Sequence, residues 1–392
     1  MIKNHTRFLI LLSLPFFLLG CTPSSNNNEA PEEKEDTNPD NPDVNPKEYL
    51  INPLYPLDNQ TISLANEDVA EFAMNYTFAS SSKYVKDYDH YDSNDYVALS
   101  WSVSEEANYY IVEFSEHSNL SDASFYLTNK TSFDVDGVYA GKTYYWKVNA
   151  YYESKIIQSR TFTLHTLAIP TTIYLESVGN LRDLGGIVTE DNKRIKNGLV
   201  FRGANADGVN EQDKDYMVNT LGIKTEIDLR NKNEGSRNKL GVENCFSISD
   251  NGGLYYNESP NGISYKSGQE ALVKELRYFA NRDNYPIFFH CAIGRDRTGS
   301  LALILLSLLG VSKKDICIDY ELSMFAFVSS GEIRAGSAAV NDLLNNLFTI
   351  YNYIYGGFAG KTMKEKTEAF LLEIGLTQQE INNIREIMLE DR

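Results

Sequence analysis

The sequence has 392 residues, enough for two or three domains at ~150 residues each. Its 42% hydrophobic and 12% aromatic content excludes a chain disordered throughout, and a formal net charge of −18 excludes the basic footprint of a general nucleic-acid binder and disfavours electrostatic adhesion to anionic lipid. Only four cysteines are present, Cys21, Cys245, Cys291 and Cys317, too few for a disulfide-stapled scaffold of this length.

At the N-terminus, Lys3 and Arg7 precede an apolar run from Phe8 to Leu19. A charged segment followed by ~7–15 apolar residues reads as a secretory signal, because a spanning helix needs ~20. Leu18-Leu19-Gly20-Cys21 resembles the lipobox of bacterial lipoproteins. That resemblance implies that residues 1–20 are removed and that Cys21 becomes a lipidated N-terminus, placing the protein outside the cytoplasm on a membrane or outer surface. Residues 21–48 are rich in Ser, Asn, Pro, Asp and Glu. Such a segment buries too little surface to offset the entropy of ordering, so it is expected to be a solvated tether.

Residues 49–168 switch to alternation. Ala98–Val103, Tyr109–Phe114, Tyr144–Ala150 and Ser159–Leu164 are predicted strands, and Tyr144, Trp146, Val148 and Ala150 share one strand face. Several short strands with Asn, Asp, Gly and Ser turns predict an all-β sandwich. Trp101 and the segment Val138…Thr143-Tyr144…Trp146…Val148…Ala150 resemble a fibronectin type III domain, with Ser80–Asp95 as an enlarged loop. Two roles are open to this domain: a rigid spacer, or a module binding protein or carbohydrate.

From residue 169 to 392 strands and helices alternate. Gly198–Arg202, Ile223–Leu229 and Pro286–His290 read as strands, and Glu211–Leu221 and Gly299–Gly310 as helices. The expectation is an α/β domain with a central, mainly parallel sheet flanked by helices. The turn after Pro286–His290 is His290-Cys291-Ala292-Ile293-Gly294-Arg295-Asp296-Arg297-Thr298-Gly299. A loop ending on a helix N-terminus favours an anion. Five residues between Cys291 and Arg297 suffice to wrap a tetrahedral phosphate, with amides pointing inward as a nest. Gly294 accommodates unusual dihedrals. Arg297 can grip two phosphate oxygens, and the positive field favours the reactive thiolate of Cys291. No second histidine lies in this half to serve a cysteine protease or a zinc site.

This segment resembles the signature loop of the protein tyrosine phosphatase superfamily, and most closely the bacterial secreted tyrosine/serine phosphatases. Asn180-Leu181-Arg182-Asp183-Leu184-Gly185-Gly186 and Ile227-Asp228-Leu229-Arg230 are similar to two further motifs of that branch. The resemblance runs from Ser177 to Leu389. It implies hydrolysis of phosphotyrosine monoesters, and of phosphoserine or phosphothreonine as well, through a phosphocysteine on Cys291 and without a cofactor or metal. It places residues 292–297 around the phosphate and Asp296 as the general acid, with Asp250 as the alternative. Arg295 stands where the branch has Lys, the residue that goes with phosphoinositide hydrolysis; Arg keeps the charge but not the geometry, a departure that weighs against the lipid, and a phosphoinositide phosphatase is kept as an alternative reading. A surface protein that recognises phosphate without turnover is a second alternative. Arg182, Asp183, Arg202, Asp228 and Arg230 either line the pocket or form a structural ion network. Cys245 and Cys317 read as core residues, with a protective disulfide to Cys291 as the other option. Residues 325–341 are expected to form a lid or an ordinary connection.

Overall fold

Burial alternates along the strands of the first half as their sequence pattern predicts. The computed structural model describes residues 51–86, 91–328, 331–332 and 337–392, all within one compact unit, Glu48–Arg392. The expected signal (1–20), Cys21 and the tether (21–48) lie outside the described residues. One sheet orders strands Asn52–Tyr55, Tyr96–Ser102 and Ser132–Asp136; the other orders Gln60–Ile62, Phe162–Thr166, Thr143–Tyr151, Tyr109–Ser115 and Ser124–Thr128. They enclose one core in which Trp101, Trp146, Tyr110, Val112, Val148, Phe162 and Leu164 are fully buried. Each such side chain contributes about 1.5–3 kcal/mol.

Two details depart from expectation. The last strand begins at Phe162, because Ser159 is held before it, its hydroxyl accepting from the Val148 amide at 2.9 Å. Glu67–Met74 is a helix, capped by Asn66, within a stretch expected to be all-β. Its Val69, Ala70, Phe72 and Ala73 pack with Ile318, Leu322 and Phe325 of the second half.

The second half is built on a six-stranded mixed sheet. In chain order its strands are β1 (Thr171–Ile173), β2 (Leu181–Asp183), β3 (Val200–Gly203), β4 (Thr225–Asp228), β5 (Asn244–Ser247) and β6 (Ile287–His290). In space they run β1-β2-β3-β6-β4-β5. The pairs β3–β6, β6–β4 and β4–β5 are parallel, while β1–β2 and β2–β3 are antiparallel. The helices are α1 (Lys266–Phe279), α2 (Asp296–Leu309), α3 (Lys313–Glu321), α4 (Ser337–Gly357), α5 (Met363–Glu373) and α6 (Gln378–Met388).

Central β6 is buried throughout because both sheet faces are covered, which explains its unbroken apolar run. Ile287 and Phe289 join the larger core with α1 and α2, and Phe288 joins the smaller one with Phe201 and Met217. The next two residues continue that alternation: the His290 ring stacks on Phe288 at 5.1 Å, and Cys291 falls in the larger core. Helix α2 starts at Asp296 instead of Gly299 and stops at Gly310, whose φ of 88° is the left-handed cap glycine favours. The expected helix Glu211–Leu221 splits into Glu211–Asp215 and a π-turn over Tyr216–Thr220. Within the region expected to form a lid, Phe327–Val328 pairs with Gly331–Glu332; residues 329–330 and 333–336 lie outside the described residues. Among the described residues no helix is long and apolar enough to cross a membrane.

Candidate active site

The loop Cys291–Arg297 leaves the carboxyl end of β6 and enters the first turn of α2, where unpaired N–H groups meet the positive end of the helix dipole. Its carbonyls are tied down outside the loop. The Cys291 oxygen faces His290 Nδ1 at 3.1 Å, the Ala292 oxygen accepts from Asn205 Nδ2 at 2.7 Å, the Ile293 oxygen from Asn180 Nδ2 at 2.9 Å, and the Gly294 oxygen from Arg202 Nη2 at 2.9 Å. None of the amides from Ala292 to Arg297 has a protein acceptor among the described residues. Consecutive donors with no partner, their carbonyls anchored elsewhere, form the nest an anion would fill. Gly294 makes this possible. Its φ is 73°, and a Cβ there would stand 2.3 Å from the Gly203 carbonyl carbon, so no larger residue fits against β3.

Beneath the loop lies a buried ion network. Arg182 donates to Asp319 Oδ1 at 2.8 Å and to Asn180 Oδ1 at 2.6 Å, and Arg202 pairs with the other Asp319 oxygen. Burial opposes ionisation of Asp319, but the two guanidinium groups outweigh it and hold the carboxyl below its usual range. Asp183 accepts from the amides of Gly185 and Gly198, at 2.9 and 2.6 Å; burial still pushes its pKa up to about 6. Asp228 accepts from Arg230, which also forks onto Asp207 at 2.8 and 2.9 Å. Arg182, Asp183, Arg202, Asp228 and Arg230 are therefore all buried and engaged by protein partners; Arg202 touches the loop at the Gly294 oxygen, and Arg182 also lines a cavity. A cavity of about 300 Å³ next to Arg182, at the junction with the β-domain, includes none of residues 291–297.

Arg297 is held from the side by Glu234, with Nη1–Oε1 at 3.0 Å and Nη2–Oε2 at 2.7 Å. Burial works against its charge, but Glu234 and then Cys291 outweigh that and raise its pKa. Asp296 Oδ1 accepts from the Tyr256 hydroxyl at 2.7 Å and from Arg295 Nε at 2.9 Å. Tyr256 in turn shares a 2.5 Å hydrogen bond with Tyr320. Burial, then Tyr320 and Asp296, pushes the Tyr256 phenol far above its usual range, so it remains a donor. Asp296 Oδ2, 3.4 Å from Arg295 Nη2, is the freer oxygen. Asp250 is 74% exposed and paired with Lys232 at 2.7 Å; none of its described contacts reaches the loop.

The three described cysteines are free. Burial pushes both Cys245 and Cys317 up to about 11, so neither is an activated thiol. Cys245 is half-buried instead of a core residue. Glu226, Asp228 and His290 each present a potential metal-ligand atom, all within 4.8 Å of one another. Two of them already face each other, His290 Nε2 lying 2.9 Å from Glu226 Oε1, and Asp228 is paired with Arg230 and Arg237. The three belong to the same buried charge network.

Several residues of the site have no signal in the sequence. Glu234, Asn205 and Tyr256 reach it from separate loops and Asp319 and Tyr320 from α3, and only the fold brings them to the loop. Asn180 lies within a recognised motif, but its bond to Ile293 is a tertiary fact.

Residues 173–390 match the family described as "Tyrosine phosphatase family". A protein of Cupriavidus necator described as a candidate tyrosine-protein phosphatase is 27% identical over 165 residues, 37% of this chain and 60% of the relative. A tyrosine-protein phosphatase of Nostoc commune is 27% identical over 146 residues, 31% of this chain and 47% of the relative. The matches thus span about half the length of these relatives. Two solved structures are similar at low identity. The core catalytic domain of the PP-IP phosphatase SIW14 from S. cerevisiae has 18% identity and a TM-score of 0.26, covering 38% of this chain and 78% of that one. The Siw14 catalytic core has 20% identity and a TM-score of 0.27, covering 41% and 85%.

Proposed function

The chain belongs to the tyrosine phosphatase family, and from that premise we propose that it hydrolyses phosphotyrosine-type monoesters through a phosphocysteine on Cys291. The amides of residues 292–297, without a partner among the described residues and gathered between Cys291 and Arg297, carry this reading. The Cys291 thiolate attacks phosphorus as the bond to the leaving oxygen breaks, and that oxygen takes a proton from Asp296. Water then attacks phosphorus, Asp296 takes its proton, and the thiolate departs with inorganic phosphate released. The amides and Arg297 hold the three equatorial oxygens as charge spreads over them, and Glu234 keeps the guanidinium planar to them. The bond from Tyr256 leaves Asp296 Oδ2 for the proton transfer. Asp250 is the less suited acid because its carboxylate is turned to Lys232 at the surface.

Arg295, the group that would meet a second phosphate of a phosphoinositide, is engaged by Asp296, which favours a single phosphoryl group. Steady-state rates on a phosphotyrosyl peptide, a phosphoseryl peptide and a phosphoinositide, each with and without chelator, test the assignment. Cys291→Ser should lower turnover by at least ~1000-fold, the order of effect seen on losing a covalent nucleophile. Residual activity well above that level, or a faster rate on the phosphoinositide, would remove the mechanism or the substrate class respectively.

The same reading includes lipidation of Cys21 after removal of residues 1–20, an extracytoplasmic location, and a fibronectin type III-like β-domain serving as spacer. The charged and apolar N-terminal run, the polar tether and the two-sheet core with Trp101 and Trp146 support it.

A further inference from the structure

We propose that the cavity beside Arg182 is an effector site for a small apolar cation, an ammonium on an apolar body, whose binding strengthens the hold of the Cys291–Arg297 loop on an oxyanion. The inference goes beyond the hydrolysis proposed above, because occupation of the cavity does not depend on turnover. At about 300 Å³ the cavity lies at the lower end of the range that small-molecule sites occupy. Ile173, Leu175 and Val178, from the end of β1 and the β1–β2 connection, give it an apolar lining with Leu322 and Phe325, which follow α3. Tyr91 of the first half joins them, its ring 5.1 Å from that of Phe325. Water gains few hydrogen bonds in such a space, whereas an apolar body gains contacts with every wall.

Charge decides what kind of apolar body fits. The charged side chains on the lining are Asp92, Glu176 and Arg182. Arg182 is buried, and its Nε, Nη1 and Nη2 all donate within the protein, to Asp319, Asn180 and Ser323. It keeps no donor for an incoming anion, so the cavity is not a second phosphate subsite. Asp92 and Glu176 are exposed and stand where the cavity meets solvent. Glu176 meets Asn210 Nδ2 at 3.5 Å, a long contact that leaves its charge largely unspent. Two carboxylates at the mouth of an apolar space select a cation.

Two parts of the wall lead to the phosphate loop at Ile293. Asn180 donates from Nδ2 to the Ile293 carbonyl at 2.9 Å and to Ser323 Oγ at 3.3 Å, while its Oδ1 accepts from Arg182. Gly179, beside it in the wall, accepts from the Ala204 amide at 2.9 Å. Ala326, also on the lining, packs against that same buried Ala204, as does Ile293. None of residues 291–297 lines the cavity, so an occupant acts on the loop through these neighbours without competing for the anion. Filling the space restrains Asn180 and Ala326, and with them the carbonyl at 293. Ordering done by the first ligand is not repeated for the second, so the two bind in mutual support.

The test titrates the full chain calorimetrically with naphthylmethylamine, a cation at neutral pH, and with naphthylmethanol, its uncharged counterpart. The amine should bind about fivefold tighter than the alcohol. Asp92→Asn together with Glu176→Gln, both at exposed positions, should erase that difference. Leu175→Trp, which fills the space, should abolish binding of both compounds, with tungstate binding retained as the sign that its loop is folded. Saturating amine should tighten tungstate binding by at least ~threefold, and tungstate should tighten amine binding by the same factor. Equal binding of amine and alcohol by the parent overturns the cation site, as does an amine advantage that survives the two carboxylate substitutions or binding that survives Leu175→Trp. Displacement of the amine by tungstate would put the amine in the phosphate loop and overturn the inference, and an unchanged tungstate affinity overturns the coupling. Failure of the parent to bind tungstate at all would strike instead at the phosphatase reading, and the comparison of amine with alcohol would still decide the cavity.

Discussion

Glu275 sets a single side chain against the pH scale. It is fully buried on α1, and burial pushes its carboxyl up to about 8, opposed by one bond from the Leu254 amide. Between its ordinary 4.5 and about 8 the folded chain keeps a proton that the unfolded chain has released. Linkage then has a definite sign: this group's contribution to stability is whole below 4.5 and is lost as pH climbs to about 8. Asp183, raised to about 6, acts in the same direction over the lower part of that range. Denaturation midpoints should fall across this window, and Glu275→Gln should flatten the decline by an amount on the order of a few kcal/mol. An identical slope in both proteins would acquit Glu275. Cys291 and Arg297 are legible in the sequence because their spacing is local. Glu234 is not, since its partner Arg297 is 63 residues away along the chain and nothing local marks a carboxylate as the mate of one arginine.

The helix Glu67–Met74 carries the main lesson among the elements. It precedes most of the sandwich in the chain but buries Val69 and Phe72 against Ile318, Leu322 and Phe325. The chain just after it completes the contact: Tyr76 Oη, the Ala79 amide and the Ser81 amide all donate to Glu321, at 3.0, 3.0 and 2.8 Å. Glu321 ends α3, which carries the Asp319 that holds Arg182 and Arg202. An element from the first half thus braces the helix on which the loop floor depends. Phe72→Ala removes a ring 5.3 Å from Phe325 and should cost about 3–5 kcal/mol. Phosphatase activity should then be lost at a lower temperature on heating. If only the β-domain's tryptophan fluorescence shifts while thermal inactivation stays put, the helix does not belong to the catalytic core. The sequence pattern missed this helix because its eight residues sit among period-two strands and its apolar face meets a partner some 250 residues on, at Ile318–Phe325.

For the whole molecule, the proposed lipidation at Cys21 makes a prediction independent of the chemistry. Cys21→Ala should move the protein from the membrane fraction to the soluble fraction of its native-type host, and mass spectrometry of the wild type should find an acylated N-terminal Cys21. An unprocessed Met1 in the mature protein would dismiss the anchor. The polar composition of residues 21–48 and the net charge of −18 fit the proposed tethering of the folded body off an anionic surface. Sequence by itself determined the α/β class of the second half, the strands of the first and the decapeptide that holds the candidate nucleophile, because each is written in periodicity or in spacing of a few residues. Tertiary structure alone decided which charged groups meet which partners. It buried Arg182, Asp228 and Arg230 in paired contacts and Asp183 on two backbone amides, turned Asp250 to Lys232, and brought Glu234, Tyr255 and Tyr256 to the loop. The reason is physical: partners of a buried charge are chosen by distance in space, where water is excluded and an unpaired group is costly, and neighbours in space are not neighbours along the chain.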